Sequence, residues 1–84
     1  MRIVKVSSKK LGGKYYGMNP AADKELNAGT GIKKNEIYID KNLKVRMLKR
    51  TIAHEKQEYY LMTKKNMPYN KADKVAMKFE RQVK

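Results

Sequence analysis

From Leu43 to Lys65 apolar residues return every three or four positions, which predicts a helix of roughly six turns, and Asn66-Met67-Pro68 stops it. Asn70 is then placed to cap a second helix from Lys71 onward, where Ala72, Val75, Ala76, Phe79 and Val83 form an apolar stripe. Two helices joined by so short a loop pack antiparallel. With 84 residues in all, the chain has room for one domain, residues 1–84, with one apolar core of marginal stability.

The remainder predicts a small sheet. Ile3, Val4 and Val6 around Lys5 read as a strand within residues 2–7, and Asn35-Glu36-Ile37-Tyr38-Ile39-Asp40 reads as a second. Between them, Ser8 to Gly31 forms a long connection, with Gly12-Gly13 and Gly29-Thr30-Gly31 as turns. Inside it Asn19-Pro20 supplies an N-cap and a proline at the first helical position, starting a short helix closed by Gly29. Asp40 or Asn42 can cap the long helix. The expected fold class is α+β, with a small sheet packed against two antiparallel helices.

At about 100° per residue, Leu43, Val45, Met47, Leu48, Ile52, Tyr59, Leu61 and Met62 share one arc of the long helix. Arg46, Lys49, Arg50, Lys56 and Gln57 lie opposite. Thr51, His54, Glu55 and Glu58 fall inside the apolar arc, where an unpaired carboxylate costs several kcal/mol or gives up its charge. A divalent cation is one compensation, since His54 and Glu58 lie one turn apart and can present an imidazole nitrogen and a carboxylate oxygen to the same ion. Glu55, about a quarter-turn away, is free to act on water beside it.

The His54-Glu55-Lys56-Gln57-Glu58 cluster, together with the strand Glu36–Asp40 and a following helix able to supply a third ligand, resembles a pared-down zincin, the metalloprotease-like superfamily. The resemblance covers roughly residues 35 to 82, and Glu58 stands where the H-E-x-x-H motif has its second histidine. It implies a zinc ion held by His54 and Glu58, Glu55 as general base for hydrolysis of a peptide or related substrate, and a strand lining the substrate cleft. Asp73 and Glu80, seven residues apart on one line of the second helix, are the candidate third ligands. Each also has a simpler role: Asp73 near the positive end of the helix dipole, Glu80 paired with a neighbouring lysine. His54 is alternatively a core histidine satisfied by Glu58 or a strand backbone group.

The 21 Lys and Arg residues against 8 acids give a net charge of +13, which favours polyanionic partners. The second functional reading is accordingly a non-catalytic basic module on a decayed scaffold: a nucleic-acid- or ribosome-binding protein, or a viral or phage accessory protein. Lys14-Tyr15-Tyr16 and Tyr59-Tyr60 offer aromatic faces beside cations, as base stacking would use. Without cysteine there is neither a disulfide nor a thiolate site. No segment has the length of a bilayer span, and Met1 to Val6 is too short and charged for a secretory leader, so the expectation is a soluble cytoplasmic protein.

Overall fold

The β-branched and aromatic run Glu36–Asp40 forms a strand, β3, and every one of its residues is buried. In the computed structural model, which describes residues 1–83, β3 is the middle of three strands. On one side β1 (Arg2–Val6) pairs parallel to it, with Ile3 opposite Ile37 and Val6 opposite Asp40. On the other, β2 (Gly17–Met18) pairs antiparallel, with Gly17 opposite Ile39 and Met18 opposite Tyr38. Alternation along β3 sends Tyr38 to one face, where it packs with Leu11, Met18 and Ala22, and Ile37 and Ile39 to the other.

The connection from Ser8 to Gly31 holds more structure than its composition suggests. A 3-10 turn, Ser8–Leu11, ends on Gly12 at φ 73°, and its Leu11 is buried. Then comes β2, and then α1 (Pro20–Leu26). As expected, Asn19 caps α1, its Oδ1 accepting from the Ala22 N–H at 2.9 Å. The helix closes earlier than Gly29, on Asn27 in the left-handed region at φ 53°, a conformation that asparagine tolerates. Asp23 fixes the returning loop by accepting from both the backbone and the hydroxyl of Thr30.

The two long helices, α2 (Val45–Lys64) and α3 (Tyr69–Glu80), run antiparallel: Arg50 reaches the Val83 carbonyl, and His54 meets Glu80 and Asp73. Their starts differ from the sequence expectation. Asp40 accepts from the Asn42 N–H and so ties the turn after β3, leaving α2 without a side-chain cap. Pro68, and not Asn70, occupies the N-cap of α3, and the Tyr69 N–H is satisfied from α1 by Glu25 Oε2 at 2.7 Å. No helix among the described residues is long and apolar enough to cross a membrane.

The helix faces also depart from the predicted apolar stripes. On α2 the buried positions are Thr51, Glu55, Glu58 and Leu61, while Val45 and Met47 of the predicted core arc are exposed. On α3 Ala72 and Ala76 are fully buried, but Val75 and Phe79 are 40% and 41% exposed. Both helices turn polar edges inward, where His54 of α2 bonds Asp73 and Glu80 of α3.

Gly17 shows how closely α2 approaches the sheet. A Cβ there would stand 2.9 Å from both Glu55 Cγ and Thr51 Cγ2, closer than van der Waals contact permits. Gly17→Ala should therefore lower the stability by about 1–3 kcal/mol, read as a reduced midpoint in urea unfolding; an unchanged midpoint would mean that the strand and α2 separate freely.

Candidate metal centre

Three elements place the polar side chains. Helical spacing on α2 sets Thr51, Glu55 and Glu58 in one line with His54 at its edge, and α3 brings Asp73 and Glu80 from across the interface. The loop between β2 and α1 contributes Asn19, which is completely buried.

His54 is the hub. Its Nδ1 lies 2.7 Å from Glu80 Oε1, and its Nε2 lies 3.1 Å from Glu58 Oε2 and 3.0 Å from Asp73 Oδ1. Asn19 Nδ2 donates to Glu55 Oε1 at 3.0 Å and to Glu58 Oε1 at 2.9 Å, so one amide serves both buried glutamates while its oxygen caps α1. Every buried side-chain N and O among the described residues has a partner. The second oxygen of Glu55 has no hydrogen bond among the described residues and lies beside Gly17.

Four carboxylates thus gather round one imidazole, and the charges respond. Burial, reinforced by the charge of Glu58, pushes the Glu55 carboxyl up to about 8 from its ordinary 4.5. Burial likewise raises Glu58, against the lowering effect of its bond to His54. For His54, burial pulls downward, but the hydrogen bond to Glu58, the charges of Glu55 and Glu58 and the bond to Glu80 outweigh it and hold the imidazole at about 9. Tyr69 at the start of α3 is raised by burial and by the charges of Asp73 and Glu58.

The donor set fits a divalent cation. One atom each of His54, Glu58 and Asp73 lie within 4.8 Å of one another. The 3.0 and 3.1 Å separations from Nε2 are a few tenths of an ångström short of the ~3.4 Å edge of a tetrahedron with bonds of ~2.1 Å, so only a small outward movement would be needed for these atoms to hold a divalent cation. Of the two third-ligand candidates, Asp73 joins this group, and Glu80 binds the far nitrogen, where a carboxylate orients a ligating histidine. Asp73 is not a capping residue, since α3 starts at Tyr69.

These residues line a cavity of about 440 Å³, walled also by Tyr15, Tyr16, Met47, Tyr69 and Met77. The strand that borders it is β2, through Gly17 and Met18; β3, which the zincin resemblance put there, lies one strand behind. Asn19, Gly17 and Tyr69 carry no functional signal in the sequence. The Asn-Pro pair announces a helix cap, and only the fold reveals that the amide faces two carboxylates. No family model, curated protein or solved structure matches this chain.

Two measurements test the electrostatics. Asn19→Ala should cost about 2–4 kcal/mol from the lost cap and the two lost hydrogen bonds to buried carboxyl groups. Asn19→Asp, which retains a capping oxygen but no amide donor, should remain well below wild type; full recovery would leave the cap as the residue's only contribution. In metal-free protein, the stability from Glu55 is complete below its unfolded value of 4.5 and disappears as pH rises through about 8. That from His54 is complete below 6.5 and is lost through about 9. The urea midpoint of the metal-free protein should accordingly fall as pH rises across this range, and zinc, which needs deprotonated ligands, should oppose the fall.

Proposed function

We propose that this protein is a zincin-like metal-dependent hydrolase acting on a peptide or related carbonyl substrate. The observation that carries the reading is the convergence of His54 Nε2, Glu58 and Asp73 on one point of the cavity wall, with Glu80 holding the other imidazole nitrogen. His54, Glu58 and Asp73 would hold the cation with three protein ligands, the number found in catalytic rather than structural zinc sites. When bound, the cation supplies Lewis acidity, polarising a carbonyl and acidifying water beside it.

The protein's own groups divide the remaining work. Glu80 accepts from Nδ1–H and so fixes the tautomer that leaves Nε2 for the cation. Asn19 anchors one oxygen of Glu55 and leaves the other free to take a proton from water in the cavity and return it to the leaving group. Burial raises this carboxyl above its ordinary range in the metal-free protein, and beside a bound cation it would return toward the range in which it can accept a proton at neutral pH. Tyr15, Tyr16 and Met77 line the cavity with apolar surface against which a substrate side chain can pack.

Protein loaded with zinc and dialysed should retain it stoichiometrically by elemental analysis and cleave members of a quenched fluorogenic peptide library. Glu55→Gln should keep the metal and reduce turnover by about 10²–10⁴-fold. Glu80→Gln should weaken zinc binding by about 10–100-fold, and Asp73→Asn should abolish stoichiometric retention. Metal at background level in the wild type would remove this reading.

A further inference from the structure

The placement of the acids decides the character of the surface. All eight acidic side chains are engaged within the fold: Glu55, Glu58, Asp73 and Glu80 at the His54 centre, and Asp23, Glu25, Glu36 and Asp40 in bonds to loops and helix ends. Of these acids only Glu36 meets a lysine or arginine, Arg2 at 3.1 Å, and no other Lys or Arg among the described residues forms an ion pair. The outward cations are therefore nearly uncompensated, unlike the alternating charges of a salt-bridged, solvated helix face.

They are densest at the start of α2. Arg46, Lys49 and Arg50 share a face by their spacing and, with Val45, line an open groove of about 460 Å³. Lys41 and Lys44, just before the helix, are exposed. The first turn of α2 has no acid and no side-chain cap, although the helix dipole favours anions there. Arg50 is oriented by donation from Nε to the Val83 carbonyl at 3.3 Å, which leaves its terminal nitrogens for a ligand.

We propose that this flank of α2 is a docking surface for the phosphate backbone of a nucleic acid. The wheel sets its mean direction roughly two-fifths of a turn from the line of Thr51, Glu55 and Glu58, and the groove shares no lining residue with the cavity at the His54 centre. A groove with cations along a rigid helix matches regularly spaced phosphates, and guanidinium groups bind them in bidentate fashion. A membrane surface would need an apolar face beside the cations, and the groove offers only Val45. Contacts of this type read charge and spacing rather than base sequence.

The test is fluorescence anisotropy of the full chain with short labelled DNA and RNA duplexes over a salt series, alongside sedimentation with vesicles of phosphatidylcholine and phosphatidylserine. Binding should weaken linearly in log–log form with salt. Arg46→Gln/Lys49→Gln should reduce affinity at least about tenfold at low salt and flatten the slope by about 2. Lys33→Gln/Lys34→Gln, which removes the same charge from an exposed loop, should change affinity by less than about threefold. Glu55→Gln should bind as wild type. Equal losses in the two double variants would reduce the effect to net charge and overturn a localised surface. So would duplex binding that neither pair affects, no duplex binding at all, or flank-dependent binding to the vesicles alone.

Discussion

Two glutamates on the inner face of α2, Glu55 and Glu58, are buried to 6% and 2% exposure, and the rest of the molecule is arranged around what that costs. An ionised carboxylate taken out of water loses several kcal/mol unless hydrogen bonds and opposite charge replace its hydration. The Asn19 amide donates to both, and because Asn19 also caps α1 while following β2 directly, the sheet edge, the short helix and the long helix meet at one side chain. Gly17, two residues earlier, removes the side chain that would otherwise hold α2 away.

The same constraint shapes the helix pair. An α2–α3 contact built on the apolar stripe would have buried Val75 and Phe79. Only the Ala72 and Ala76 part of the stripe is fully buried, and the helix is turned so that Asp73 and Glu80 meet His54. The fully buried apolar set is correspondingly modest, with alanine at three of its positions. A small domain with such a core gains from any ligand that binds the native state alone, and a cation at this centre would return its binding free energy to folding.

Charge is sorted radially. The acids occupy the centre and the loop ties, whereas the lysines and arginines face outward with one ion pair between the two populations among the described residues. Net charge states the excess but not this separation. The interior favours a cation and the exterior favours anions, so the hydrolytic centre and the polyanion-binding flank proposed above would not compete for residues.

Much was legible in the sequence. Local periodicity marked β1, β3 and both long helices, Asn19-Pro20 marked the start of α1, and the polar residues inside an apolar arc marked His54, Glu55 and Glu58, because each of these signals depends on neighbours within a few residues. The two-residue β2 was not legible: a Gly-Met pair has no alternation to read, and it is a strand only because β3 supplies its hydrogen bonds. Nor were the helix starts, since Glu25 satisfies the first amide of α3 from 44 residues away. Sequence offered Asp73 and Glu80 as alternative third ligands; tertiary packing set one against each imidazole nitrogen. Spacing along a helix fixes direction to within a face, whereas which atom meets which nitrogen depends on how two helices rotate and slide against each other, and that is set by the whole core.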